Sequence, residues 1–172
     1  TLTSDGSDSD LSFTSGIDST YDEYVFKFIN MHPETDQAYF TFQCSTDGGS
    51  NYNTTITSTD FRAYHAEDGS ATALQYSAAF DQAQGTSFQP ITQEIGNDND
   101  QTASGTLQIF APSSTTFVKH FIASSQYSWS ADYSMRDFCA GYFNTTSAID
   151  AVQFKMSADE IQGGSISLYG IS

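Results

Sequence analysis

Residues 24–44, YVFKFINMHPETDQAYFTFQC, contain two short segments in which bulky apolar residues recur at every second position. The residues on the first face are Tyr24, Phe26 and Phe28, and those on the second face are Phe40, Phe42 and Cys44. Because successive side chains of an extended chain point to opposite sides, this alternation predicts two β-strands that each bury one face. The polar loop between them is short enough to connect strands of a single domain.

The same alternation continues through the chain and is interrupted by turn-rich stretches rather than by segments of helical periodicity. Pro90 lies in one of these segments and belongs at a sheet edge or a bulge, because proline has no backbone N–H to donate. We therefore predict an all-β fold, an antiparallel β-sandwich or jelly roll of about ten strands. The further strand segments include GTLQIFAP (105–112), TFVKHFIASSQYSW (116–129), FCAGYFN (138–144), AVQFKM (151–156) and SISLYGI (165–171).

The composition supports this fold class. The chain has 14 Phe and 10 Tyr against one Trp, and aromatic residues suit a pleated, half-buried surface. Its length of 172 residues predicts one domain with one core. Residues 1–10 are acidic and rich in Gly and Ser, so we predict a flexible lead-in followed by a single domain over residues 11–172.

The charge balance excludes some functions. Five Lys and Arg stand against 21 acids, a formal net charge of −16. Nucleic-acid binding requires clustered cations, so none is expected. A strongly acidic surface favours solubility and is best tolerated where salt screens its self-repulsion. No stretch approaches the ~20 apolar residues of a membrane span, so membrane insertion is not expected either.

The sequence carries no recognisable catalytic motif, and we predict that the chain is not an enzyme. It lacks nucleotide-binding and nucleophile-elbow patterns and close pairs of zinc ligands. Glu34 and Asp36 only partly match the acidic strand motif of jelly-roll glucanases, and we interpret them as solvated. Carboxylates that folding brings together stay open as an alternative. His120 lies in the alternating run FVKHFI and is predicted to be a half-buried or core histidine.

The segment SSQYSWSADYS, residues 124–134, is the most distinctive surface candidate. Tyr127, Trp129 and Tyr133 alternate there with small polar residues. Aromatic faces among hydroxyl groups are suited to stacking on sugar rings, which makes these three residues candidate glycan contacts. The alternative, which we favour, is that they pack against the core or in a subunit interface, where Trp and Tyr are also enriched.

No cofactor is expected, and calcium is the one cation considered. The acidic turn GNDND, residues 96–100, offers Asp98 and Asp100 as candidate ligands, since Ca²⁺ prefers several oxygen atoms. It lacks EF-hand spacing, and a solvated hairpin turn is the favoured interpretation. Cys44 and Cys139 are too few for a disulfide framework, and two buried free thiols are favoured over a disulfide or a metal site.

The last residues read GGSISLYGI, where Ile166 and Leu168 share one face of a strand. We predict that this face anchors the terminus to the core. Gly163 and Gly164 supply turn residues after AVQFKM, so that segment and the terminal strand are expected to form a hairpin or adjacent strands.

Two stretches also resemble structural proteins of tailed bacteriophages, particularly marine ones. Residues 13–52, from FTSGID to DGGSNY, resemble a domain of virion structural proteins, and residues 140–172 are similar to the ending of phage tail-fibre and minor virion proteins. In that ending a hydrophobic strand and a Gly-containing turn precede a terminal phrase of the type GSIxLYGI. The residues that match are Ile149, Val152, Phe154, Gly164, Ser165, Ile166, Leu168, Tyr169, Gly170 and Ile171.

The resemblance implies a concanavalin-like or jelly-roll sandwich without enzymatic activity, located in the virion. It implies assembly with other virion proteins, as a homo-oligomer, in a tail fibre, in another tail-associated position or as a capsid decoration. The absence of heptads or repeats for a trimeric stalk counts against a complete fibre. The second hypothesis is a lectin-like module that binds a host-surface glycan through Tyr127, Trp129 and Tyr133, and the third is a degenerate glycan hydrolase.

Overall fold

The computed structural model describes all 172 residues as thirteen β-strands without a helix. The prediction of an all-β, antiparallel sandwich is confirmed, although there are more strands than the ten expected. The strands are β1 (Leu2–Thr3), β2 (Leu11–Phe13), β3 (Glu23–Pro33), β4 (Phe40–Ser45), β5 (Ile56–Ala66), β6 (Thr72–Tyr76), β7 (Ala83–Gly85), β8 (Gln89–Pro90), β9 (Ala103–Phe110), β10 (Lys119–Trp129), β11 (Tyr133–Phe143), β12 (Ala151–Met156) and β13 (Ile161–Ile171).

The strands form two antiparallel sheets. The large sheet has nine strands, in the order β1-β13-β3-β9-β10-β11-β5-β6, and β7 pairs with another part of β5. The small sheet has the order β2-β12-β4-β8. Pro90 lies in β8, an edge strand, as predicted from its missing N–H. The structure contains no helix that could cross a membrane.

The core lies between the two sheets and is rich in phenylalanine. Phe28 of β3 and Phe40 of β4 contact each other across it, with ring centroids 5.2 Å apart. The two alternating segments, residues 24–28 and 40–44, therefore supply one strand to each sheet and bury the faces expected of them. Cys44 and Cys139 are free and buried, as predicted, and burial raises the pKa of both thiols.

The first ten residues differ from the predicted flexible lead-in. Leu2 and Thr3 form β1 and pair with Ile166 and Ser165 of the terminal strand. The Ser4 hydroxyl donates a hydrogen bond of 2.6 Å to the carbonyl of Ile161. Local composition was misleading because the groups that hold this segment lie about 160 residues away in the sequence.

The predicted hairpin between AVQFKM and the terminal strand is wrong. The first segment is β12 in the small sheet, whereas the second is β13 in the large sheet, where it pairs with β1 and β3. Gly163 and Gly164 lie within β13, at register shifts against β3, rather than in a turn. The predicted anchoring of the terminus is confirmed, since Ile166 is buried and Leu168 packs against the core.

The bulge in β13 yields a prediction with an adjacent control. Gly164 has φ +112°, and a Cβ there would lie 2.7 Å from the carbonyl oxygen of Asn30 and 2.8 Å from the Cα of Met31. Gly164→Ala is expected to lower the free energy of unfolding by about 1–3 kcal/mol, because strain and a backbone clash add. Gly163→Ala meets only the His32 Cβ, at 3.9 Å, and is expected to be nearly neutral. Urea unfolding of both variants checks this, and equal losses would contradict it.

Candidate binding surface

The structure separates the three aromatic residues predicted to contact glycans. Tyr127 points into the core and is only 2% exposed, so it is not a glycan contact, and the favoured interpretation that it packs against the core is confirmed. Its hydroxyl donates a hydrogen bond of 3.1 Å to Oδ2 of Asp137. Glycan stacking by this residue would need an outward-facing side chain, whereas the odd-numbered residues of β10 line the inner face of the large sheet.

Trp129 and Tyr133 stay together at the end of the β10–β11 hairpin. Their ring centroids are 4.7 Å apart, and both are half-buried against the core. The indole N–H of Trp129 donates a hydrogen bond of 2.5 Å to Oε2 of Glu94. Tyr133 also lines a cavity of about 370 Å³ with Glu67 and Asp132. This site combines one aromatic side chain with carboxylates at the tips of two neighbouring hairpins.

The other predicted site residues are not assembled into a site. Asp98 and Asp100 are exposed in the turn before β9, and no group of three or more His, Cys, Asp or Glu side chains is arranged to hold a metal ion. Glu34 and Asp36 are exposed, as predicted. His120 is exposed on the outer face of the large sheet, which contradicts the predicted half-buried or core position.

That outer face, which points away from the small sheet, is the most extensive candidate surface. Antiparallel register aligns its side chains in rows across the strands, and one row runs through Lys27, Thr106, Ser124, Phe138 and Phe61. Seven of the nine exposed large hydrophobic residues of the chain lie on it, with 44–72% of their surface accessible. They are Ile29, Phe61, Leu74, Tyr76, Ile122, Tyr169 and Ile171.

The outer face is also almost free of acids. Among the outward positions of its paired strands, Glu23 is the one carboxylate, and its Oε1 accepts a hydrogen bond of 3.1 Å from Gln108. The same positions carry Lys27 and Arg136 together with His65 and His120. For a chain with a net charge of −16, this distribution leaves the outer face without net negative charge.

The rings on the outer face pack against each other. Phe61 and Phe138 are stacked at 5.0 Å with an interplanar angle of 13°, and the guanidinium of Arg136 lies 4.8 Å from the Phe138 ring centre. Next to them Phe110, His120, Ile122 and Tyr142 line a shallow groove of about 500 Å³. Both ring faces of Phe138 are covered, which leaves ring edges for a partner and suits side-chain packing better than stacking on sugars.

Folding also brings two carboxylates together inside the sandwich. Asp60 of β5 and Asp137 of β11 lie on the inner face as diagonal neighbours, because Asp137 pairs with Arg62 and Asp60 with Cys139. They are 1% and 2% exposed. Burial raises the pKa of Asp60 to about 6, and burial together with the charge of Asp60 raises that of Asp137 to about 7.

The two carboxylates are covered by the segment around β8. Gln93 donates a hydrogen bond of 3.4 Å to Oδ1 of Asp60 and accepts one from Arg62. Oδ1 of Asp137 has no hydrogen-bond partner. The sequence signal for this pair was the position of Asp137 between Met135 and Cys139, at the spacing of a buried face. It could be interpreted only once the inner face of β11 was known.

Comparison with known protein families, with curated proteins and with solved structures finds no match to this chain.

Proposed function

We propose that this chain is a non-enzymatic structural protein of a bacteriophage virion. The observation that carries the proposal is the broad, exposed outer face of the large sheet, which carries seven exposed large hydrophobic residues among neutral polar ones, is nearly free of acids and is suited to protein–protein contact. The resemblance of residues 13–52 and 140–172 to phage structural proteins supplies the virion context. Other virion proteins are the partners, in a tail-fibre or tail-associated position rather than as a capsid decoration.

The absence of catalysis is part of the proposal and is supported by the buried carboxylates. Asp60 and Asp137 have the paired character of a hydrolase site, but with 1% and 2% of their surface exposed they do not touch a substrate. Most exposed acids lie in turns as single residues or beside like charges, and the exposed carboxylates that do meet, Glu67, Asp68 and Asp132, line the cavity of Tyr133. Turnover of any β-glucan by the purified protein would contradict this part of the proposal.

The location of the chain in a purified particle tests the proposal directly. Particles from an infected culture are banded on a density gradient, and the chain is quantified by mass spectrometry against a known capsid protein. We expect a fixed copy number per particle, and cryo-electron microscopy should place the sandwich at the tail. Recovery of the chain only in the lysate, with none in the banded particles, would overturn the proposal.

A lectin-like receptor-binding module is the second candidate. It is favoured by the cavity of about 370 Å³ in which Tyr133 meets Glu67 and Asp132, an aromatic ring beside hydrogen-bond acceptors. Its test is binding of the purified protein to host-surface polysaccharide. Loss of binding in Tyr133→Ala but not in Phe117→Ala, with both variants folded by circular dichroism, would support this candidate, and absence of binding in the wild type would exclude it.

A further inference from the structure

We infer that the outer face of the large sheet is a two-fold contact surface and that its occupant is a second copy of this chain. This inference rests on the proposed structural role and specifies the partner and the geometry of contact. In a two-fold contact the same patch of each copy meets the other, so each patch must be complementary to itself.

The exposed large hydrophobic residues of the chain are concentrated on the outer face, and contact between two copies through this face would cover them. Exposed hydrophobic residues scattered singly over a monomer are normal, whereas the concentration of seven of the nine on one sheet face indicates an interaction site. The two exposed large hydrophobics away from the face, Tyr21 and Phe117, do not form a second patch. The surface that matches this apolar face in the same chain is therefore the face itself.

The charge distribution also favours a second copy of the chain as the occupant of the outer face. Of the 21 acids, Glu23 is the one that projects from the paired outward positions, and the others lie mainly in turns around the strand ends or inside the sandwich. Two copies with a net charge of −16 each approach most closely where acids are absent. The resulting contact has Ile122 near its centre among Ser, Thr and Gln side chains of β9 and β10, exposed hydrophobic residues toward both edges, and the acidic turns at its rim.

The dimensions of the face are sufficient. Eight neighbouring strands at a spacing of about 4.8 Å span about 34 Å, and the seven paired residues from Glu23 to Ile29 extend over about 22 Å. The product is about 750 Å², close to the roughly 800 Å² that each partner contributes to a stable interface. Ile122 of β10 lies near the centre of this area.

The dependence on salt distinguishes this contact from a head-to-tail one. If the outer face bound the acidic turns of another copy through Lys27 and Arg136, added salt would screen the attraction and weaken association. In the two-fold contact the acidic rims face each other. Salt then screens their repulsion and strengthens association.

Sedimentation equilibrium of the full chain between about 0.05 and 0.5 M NaCl tests the inference, since the screening length falls from roughly 14 Å to 4 Å over this range. We expect a monomer–dimer equilibrium that tightens as salt rises. Ile122→Glu is expected to weaken the dimer at least tenfold, because it replaces an exposed hydrophobic side chain near the centre of the contact with a charge that the second copy would have to bury. Phe117→Glu is the matched control, an exposed hydrophobic residue off the face, and should leave dimerisation unchanged.

Leu74→Glu, on the edge strand β6, provides a second variant if Ile122→Glu does not fold. A wild-type chain that stays monomeric at every salt concentration would overturn the inference, and so would a dimer that weakens with salt or withstands both outer-face variants. These results are independent of particle composition. A monomeric chain found in banded particles would refute the two-fold contact alone, and a dimer absent from particles would refute the virion role alone.

Discussion

Replacement of Phe154 by alanine is expected to lower the free energy of unfolding by about 3–5 kcal/mol, because it opens a cavity among aromatic rings at the centre of the core. Phe154 is fully buried in β12, the strand that lies between β2 and β4 in the small sheet. Its ring centroid lies 5.3–6.4 Å from those of four other phenylalanines. They are Phe13, Phe26, Phe40 and Phe42.

Chemical denaturation of the wild type and two variants measures this effect. Phe117→Ala is the matched control, since Phe117 is 72% exposed and its truncation removes little buried surface. Its effect is expected to stay within about 0.5 kcal/mol. A loss below about 1 kcal/mol for Phe154→Ala would contradict the assignment of Phe154 to the centre of the sandwich.

The second large effect is a gain of stability from Asp137→Asn that appears only at higher pH. The folded-state pKa values of Asp60 and Asp137, about 6 and about 7, lie above the value near 3.9 of an unfolded aspartate. Below pH 3.9 both aspartates are protonated in the folded and in the unfolded chain, so their burial costs no stability through ionisation. As the pH rises, the unfolded chain releases protons first, and folding loses stability until the folded pKa values are passed near pH 7.

The variant separates the destabilisation caused by ionising the buried pair from the general charge repulsion of an acidic chain. Relative to the wild type, Asp137→Asn is expected to gain about 3 kcal/mol in the free energy of unfolding between pH 4 and pH 8, because it removes one charge from the buried pair and leaves the charge of Arg62, two residues further along β5, to stabilise Asp60. Urea unfolding at several pH values measures the difference. Asp98→Asn, which changes an exposed carboxylate, is the control and should follow the wild type.

A stability difference that does not change with pH would mean that Asp137 ionises normally in the folded state. Arg62→Met provides a complementary measurement. It removes the cation that lowers the pKa of both aspartates, so it should destabilise the chain more at pH 8 than at pH 4.

The parts of the fold that could be predicted from the sequence are those decided within a few residues. The alternation of Tyr24, Phe26 and Phe28 predicts a half-buried strand because the period of two is a local property of the extended backbone. Pro90 indicates an edge strand because it lacks an N–H wherever it is placed. The expectation that the chain does not bind nucleic acid rests on its net charge of −16, which depends on composition alone.

The assignment of faces was less secure, because alternation shows that a strand has two faces without showing which is buried. His120 and Tyr127 lie on opposite faces of the same strand. His120 was predicted to be buried or half-buried and is exposed, whereas Tyr127, a candidate glycan contact, is buried as the favoured packing interpretation predicts. The apolar residues of the outer face, such as Ile122, make the two faces of β10 similar in character. A one-residue change in this assignment moves every side chain of a strand to the other face.

The sequence by itself determined that the chain forms antiparallel strands with phenylalanine-rich buried faces and an acidic surface, because propensity, alternation and charge are carried by neighbouring residues. Only the tertiary structure decided that β12 and β13 belong to different sheets, that β1 ties the first residues to β13, and that Asp60 and Asp137 share a buried site. It also collected the apolar residues of seven strands into one outer face. These are pairings between distant parts of the chain. They are decided by the free energy of burying each strand against its neighbours and between the two sheets, and that free energy is not a property of any short segment.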